Sequence, residues 1–413
     1  MAAGRTQRKA VAPDGGTTMG DPSPRLRLAA FQAAFGDCLM VEARAAGWTR
    51  RILIDGGPPG TYQAVLRPAL EGIAGAGGRI DVAVVSHIDN DHISGMLDLF
   101  DDLRARQQRP TTPALPAIDR LWHNSFATAV GDAGLEPAVR AVLHDATGLA
   151  AAMPALGMVL RGVGEGDALR ADALALHIGS QPFTDGRLLA DGGRGTMFDG
   201  LAVTVVGPSA AILDRLRTEW LSWLAAHRGA GARREAGTAA AAGPAQVAAV
   251  AADGSVPNLS SIALLVELGR RSVLLTGDAR ADQVLEGMGE AGVLDPAGRR
   301  HVSILKMPHH GSIRNVSPEF LAAVTADSYV ISADGRYGNP DYETLVLVVE
   351  TARKAGRRIE LAMTNDTPSS DRLRTSHPPG QYGYTLRVLP AGRPALLLDA
   401  RPVAGAKARA WPS

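Results

Sequence analysis

Seven residues, Ser86 to His92 (SHIDNDH), gather four metal-capable side chains, His87, Asp89, Asp91 and His92, directly behind the apolar run Ile80 to Val85. A strand leaving the core at Val85 carries His87, Asp89 and Asp91 outward on one pleat face, and His92 joins them as the chain turns into Ile93 and Gly95. Imidazole and carboxylate are ligands for zinc, manganese or iron, and a set divided by a turn can serve two adjacent ions. A lone His or Asp at this place reads as a polar loop; four within six positions point to a metal centre.

Two downstream segments have the same character. The hairpin strand Ser272 to Asp278 ends on Asp278, whose two oxygens can span two cations roughly 3.5 to 4 Å apart. Asp278 can equally cap a helix over Ala279 to Met288, and the residues alone leave both roles open. The apolar strand His301 to Met307 runs into Pro308, His309, His310, Gly311 and Ser312, two histidines and a hydroxyl at a strand end. Lys306 precedes the histidines by an odd step and falls on the opposite, structural face.

These segments together resemble the metallo-β-lactamase fold. His87, Asp89, Asp91 and His92 look like its HxHxDH signature, with Asp89 where the second His usually stands. That HxDxDH form resembles the hydrolase domain of ComEC-type DNA-uptake proteins, as do TGD at Asp278, KMPHHGS at 306–312 and NxSS at Asn258, so the resemblance covers most of residues 26 to 390. It implies an α/β, four-layer αββα sandwich with ligands gathered from strand ends along one edge. It further implies a binuclear metallo-hydrolase with two divalent ions, zinc or manganese. Asp278 bridges them, and Asp55 supports the site from behind unless it caps the helix near Tyr62. His309 is the expected last ligand, with His310 as a supporting or substrate-contacting residue. The chain departs from the family where a further His is usual: none occurs from Arg228 to Arg300, and Asn258 stands there instead. One site would then use His87, Asp89, Asp278 and the Asn258 amide oxygen, the other Asp91, His92, His309 and Asp278. Oxygen donors in place of imidazoles shift the first site from zinc toward manganese or magnesium.

The elements that position these residues follow from periodicity. Leu26 to Ala34, Cys38 to Ala45 and Thr49 to Asp55 read as a strand meander, and Tyr62 to Ala74 and Ile93 to Arg106 as helices on either side of the ligand loop. Ile118 to Trp122 and Leu201 to Val206 are strands, Glu136 to Met153 and Ser209 to His227 helices. Asn258 to Leu268 pairs with Ser272 to Asp278 through a tight turn. A strand over Asp327 to Ala333, a helix over Pro340 to Ala355 and strands at Ile359 to Met363, Tyr382 to Leu389 and Ala395 to Leu398 complete the set. A disordered tail over 1–25, a domain over 26–400 with an insertion at about 107–255 (flexible at 229–254), and a loose tail over 401–413 give the organisation. His123, His144, His177 and His377 are isolated and read as structural or loop residues.

Composition narrows the function classes. The chain has 413 residues, 46% hydrophobic and 21% charged, enough for a sizeable core. A net charge of +1 supplies no global field for nucleic acid or a membrane surface. One cysteine, Cys38, excludes an internal disulfide and reads as a buried thiol. No stretch approaches the roughly 18 to 20 apolar residues of a membrane span, so no membrane partner and a cytoplasmic location are expected. The expected reaction is attack of a metal-bridged hydroxide on the phosphodiester of a small molecule or nucleic acid, with Asp91, His310 and Ser312 as catalytic candidates. Hydrolysis of an ester, thioester or lactam, or a catalytically weak metal-binding regulatory module, are the alternatives.

Overall fold

The computed structural model describes residues 23–124, 154–180, 188–190, 194–198, 200–215, 218, 258 and 260–404. The helix expected over 136–153, His144, the segment 229–254 and most of both expected tails lie outside these residues, as does the end of the helix expected over 209–227.

Two mixed sheets face each other. The first contains β1 (Arg25–Phe31), β2 (Leu39–Ala45), β3 (Trp48–Ile54), β4 (Val82–Val85), β5 (Leu121–His123) and β14 (Ala395–Asp399), in the order β14-β1-β2-β3-β4-β5. The second contains β6 (Arg194–Phe198), β7 (Leu201–Gly207), β8 (Ala263–Leu268), β9 (Arg271–Leu275), β10 (Arg300–Lys306), β11 (Val324–Ile331), β12 (Ile359–Met363) and β13 (Tyr384–Val388), running from β13 back to β6. Strands β5, β6 and β7 come from the 107–255 stretch, so parts of that stretch extend both sheets.

Period-2 alternation decides which layer each side chain enters. Leu26, Leu28, Val41, Ile52, Ile54, Val82 and Val84 face Leu264, Val266, Val273, Leu275 and Ile304 across the seam between the sheets. Their neighbours Met40, Leu53, Ala83 and Val85 point the other way, onto α1 (Arg67–Gly75), α2 (Asn90–Gln108) and α3 (Pro154–Ala175). On the far side, Leu265, Leu274, Val302, Leu305, Tyr329 and Ile331 pack on α4 (Ala281–Glu290), α5 (Pro318–Ala323) and α6 (Tyr342–Lys354). The result is the expected four-layer αββα sandwich. Helix α7 (Pro368–Ser376), opened by a capping box at Thr367 and Ser370, was not among the expected elements.

Two glycines set the height of the ligand loop. Gly56, just after β3, lies against Gly95 in the second turn of α2, where a β-carbon on Gly95 would fall 2.0 Å from the Gly56 carbonyl oxygen. Backbone bonds from Gly56 N to His92 O (2.8 Å) and from Gly95 N to Gly57 O (3.0 Å) lock the approach.

Candidate metal centre

Strand β4 ends at Val85, and α2 begins at Asn90 with Asp89 in the extended N-cap position. His87 and Asp89 therefore sit on the connecting loop, while Asp91 and His92 occupy the first helical turn rather than an extended strand. This corrects the single-pleat expectation, and it aims the positive end of the helix dipole at the carboxylates. From the other half, Asp278 follows β9, and His309 and His310 follow β10. Both histidines are left-handed, with φ of 44° and 55°. Non-glycine residues rarely hold that conformation, at roughly 1–3 kcal/mol each, and it turns both rings back toward Asp278.

Asp278 is the meeting point. Its carboxylate lies 3.4 Å from His92 Nε2, 3.5 Å from the Nε2 atoms of both His309 and His310, and 3.8 Å from His87 Nε2. Asp91 adds an oxygen 3.3 Å from His310 Nε2 and 3.7 Å from His92 Nε2, and Asp89 one 3.7 Å from His87 Nε2. In one respect the geometry differs from expectation. It is His310, rather than His309, that joins Asp91, His92 and Asp278 in a group whose ligand atoms all lie within 4.8 Å of one another. Asp278 does not cap α4, whose N-cap is Arg280.

All four imidazoles present the same nitrogen. His92 Nδ1 donates to Asp55 Oδ2 at 2.8 Å. Ser86 Oγ gives its one proton to Asp55 (2.6 Å) and so accepts from His87 Nδ1 at 3.0 Å. His310 Nδ1 donates to the Ser332 carbonyl at 2.8 Å, and His309 Nδ1 to Asn315 Oδ1 at 2.9 Å, while the Asn315 amide donates to the Asp278 carbonyl at 3.0 Å. With every Nδ1 engaged, every Nε2 is left facing the carboxylates, the arrangement that metal-ligating histidines require. Asp55 thus supports the centre and does not cap the Tyr62 helix.

The electrostatics match. Burial opposes charge on His92 and His310, yet Asp278 and the neighbouring carboxylates raise both imidazoles well above their ordinary value. Burial would likewise raise Asp278, but His310, His92 and His309 hold it well below the usual carboxylate range. The carboxylates demand positive charge, which a divalent cation would supply in place of those protons. Among the described residues, the buried atoms His87 Nε2, His92 Nε2, His310 Nε2 and Asp278 Oδ1 make no hydrogen bond, as expected of atoms that ligate an ion. The buried Asn258 Oδ1 is also without one. The donor set fits a metal.

Ser312 is buried at the end of the histidine loop, its N–H bonded to His309 O at 2.9 Å. His377 closes α7 beside Tyr342 and Ser376, and His301 bonds Thr325 and Asp327; neither belongs to the centre. His123 is buried, and burial pushes its imidazole down to about 4. Cys38 is buried as expected.

Sequence reasoning missed Asp37. It lies behind His310, its Oδ1 3.5 Å from His310 Nδ1, and its partner is Lys306, assigned above to a merely structural face. Only the strand-breaking Gly36-Asp37 step hinted at it.

Among the described residues no helix is long and apolar enough to cross a membrane. Residues 34–183 match the family model described as the metallo-beta-lactamase superfamily. ComE operon protein 3 of Bacillus subtilis (strain 168) is 34% identical over 100 residues, which is 24% of this chain and 12% of that protein. Among solved structures, the metallo-beta-lactamase fold protein YhfI from Bacillus subtilis is similar at 11% identity and a TM-score of 0.39, covering 91% of this chain and 99% of that one. A diphosphatase from the PhnP family is similar at 13% identity and a TM-score of 0.33, covering 91% and 97%. The two facing sheets, the helices outside them and the family-model match make this chain a metallo-β-lactamase-fold protein that resembles ComEC-type proteins.

Proposed function

We propose that the chain is a metal-dependent hydrolase that cleaves a phosphodiester, holding two divalent cations, zinc or manganese. The observation that carries this reading is the common presentation of four imidazole Nε2 atoms to the Asp278 carboxylate. Asp91, His92, His310 and Asp278 would hold one cation. His87, Asp89 and Asp278, with His309 and the Asn258 oxygen, would hold the other. When bound, such cations lower the pKa of water and offset the charge that builds on a phosphoryl group.

The chain's own residues supply orientation and proton handling. Asp55, Ser86, Ser332 and Asn315 fix the imidazole tautomers, so the rings need no reorganisation. Asp91, a quarter exposed, is the carboxylate of its group that solvent reaches; burial would raise it, but His92 and His310 hold it below the usual carboxylate range, so it enters the site ionised, with Oδ2 3.3 Å from His310 Nε2. Ser312 is the hydroxyl we assign to a non-bridging phosphate oxygen. No Ser, Cys or Tyr nucleophile is required.

Elemental analysis of the purified chain, with turnover of bis(p-nitrophenyl) phosphate, nitrocefin and a thioester under zinc and under manganese, tests the reading. Bound metal with phosphodiester turnover that Asp278→Ala abolishes is the expected result. Turnover of the carbonyl substrates alone would move the chain to the ester or lactam hydrolases, and metal without turnover of any substrate to a regulatory module.

A further inference from the structure

A second concavity lies on the same edge of the sandwich as the metal centre, beside strands β12 and β13, which contribute nothing to that centre. Strands β10 to β13 run parallel, so the segments that follow β12 and β13 emerge where His309 and His310 follow β10. With roughly 4.8 Å between neighbouring strands, they stand about 10–15 Å from the histidines. There the chain surrounds a pocket of about 560 Å³. The carboxyl ends of parallel strands are where open α/β sheets take ligands, and the volume falls within the range of roughly 300–1,000 Å³ typical of small-molecule sites.

The pocket is built before any ligand arrives. Gln32 N donates to Pro394 O at 2.9 Å and Leu389 N to Met363 O at 2.9 Å, while Gln32 Nε2 donates to Asn365 Oδ1 at 2.7 Å and Asn365 Nδ2 to Ala333 O at 2.9 Å. Both side-chain amides are thereby spent within the protein. The rest of the lining is largely apolar, with Val65, Val388 and Leu389 buried or half-buried and Pro390 and Pro394 stiffening the loop. Charge enters the lining at two residues. Asp366 is already engaged, its Oδ1 accepting from Ser370 Oγ and from Arg374, both at 2.6 Å. Arg393 is exposed and makes no ion pair or side-chain hydrogen bond among the described residues, so the uncompensated charge of the lining is positive.

We propose that this pocket is a second ligand site, taking a small hydrophobic carboxylic acid whose apolar body lies against Val65, Val388 and Leu389 and whose carboxylate meets Arg393. It stands apart from the metal centre and does not depend on the reaction there. A preformed apolar surface with one unspent guanidinium matches a molecule that is apolar along its length and anionic at one end. A neutral molecule leaves the guanidinium unused, an amine is repelled by it, and a bare small anion leaves the apolar lining wet.

The test is titration of the full chain, as purified, with hexanoate, hexanol, hexylamine and acetate, followed by methyl-resolved NMR. Hexanoate should shift the Val65, Val388 and Leu389 methyl signals saturably and bind about five-fold more tightly than hexanol. Hexylamine should bind more weakly than hexanol, and acetate should not saturate. Arg393→Gln should bring hexanoate down to the level of hexanol and leave hexanol unchanged. Ala64→Trp, at an exposed helical position in the lining, should fill the pocket and remove both, with an unchanged thermal midpoint. Asp278→Ala should leave hexanoate binding intact, whereas a carboxylate held by a cation at the metal centre would be lost with it. The site is overturned by the absence of saturable shifts at these methyls, by equal affinity for hexanoate and hexanol, by shifts that survive Ala64→Trp, or by loss of hexanoate binding in Asp278→Ala.

Discussion

Lys306 Nζ lies 2.5 Å from Asp37 Oδ2, and neither side chain is more than 1% exposed. Burial alone would raise the Asp37 carboxyl, but the Lys306 ammonium, with His310 and His92, holds it below the usual carboxylate range. Asp37 in turn stands behind His310, so the pair braces the histidine loop from inside the protein. Lys306→Met leaves a buried carboxylate facing no ammonium and should cost about 3–5 kcal/mol in urea denaturation. The double variant Asp37→Asn with Lys306→Met should recover part of that loss, and additive losses would show that the two groups are not coupled.

Asp55 is the second brace. It accepts from Ser86 N, Ser86 Oγ and His92 Nδ1, and through Ser86 it also orients His87. Asp55→Ala should weaken manganese or zinc binding about 10- to 100-fold in competition with a chelating dye. Unchanged affinity would mean that the imidazoles need no such support.

His123 gives the clearest pH dependence. Burial holds its imidazole down at about 4, ahead of a ring N–H bond to the Val85 backbone carbonyl and the Asp55 charge, which act the other way. A depressed folded value means that the unfolded chain takes up the proton first. The stability this neutral ring contributes is complete above about pH 6.5 and is lost as pH falls toward 4, amounting to on the order of 3 kcal/mol. His123→Gln should flatten the fall in unfolding free energy over that window relative to wild type, and parallel profiles would contradict it.

Gly95→Ala tests the contact that seats the ligand loop. The added β-carbon meets the Gly56 backbone, which cannot swing aside like a side chain, so a loss of about 1–3 kcal/mol is expected, together with weaker metal binding. Gly72→Ala, inside α1 with open space around it, is the control: it should leave metal binding unchanged and raise stability by about 0.5–1 kcal/mol, the ordinary helix-interior gain.

Much of the architecture was legible because strand alternation and ligand-rich strand ends are local signals. Ile359–Met363 appears where periodicity put it, and the β8–β9 hairpin pairs as expected although β8 begins at Ala263 rather than at Asn258. The run SHIDNDH was legible as a cluster of metal-capable side chains for the same reason, since it is contiguous. What escaped depends on packing. Nothing local distinguishes His309 from His310, because two successive left-handed residues decide where each ring points. Asp37 and Lys306 are far apart in sequence, and their pairing exists only once β10 lies beneath the loop after Phe31. Helix α7, with mostly polar residues, offers little apolar stripe to read.

The division of ligands between the two halves has a bearing on how the protein is made. His87, Asp91 and His92 leave the ribosome roughly 200 residues before His310 does, an interval on the order of ten seconds or more at ordinary elongation rates. Through that time the early cluster lacks Asp278 and His310, which complete the group of converging ligand atoms. If the centre proposed above is the metal site, its completion is a late event in biogenesis, and a nascent chain stalled before β10 would carry only half of it.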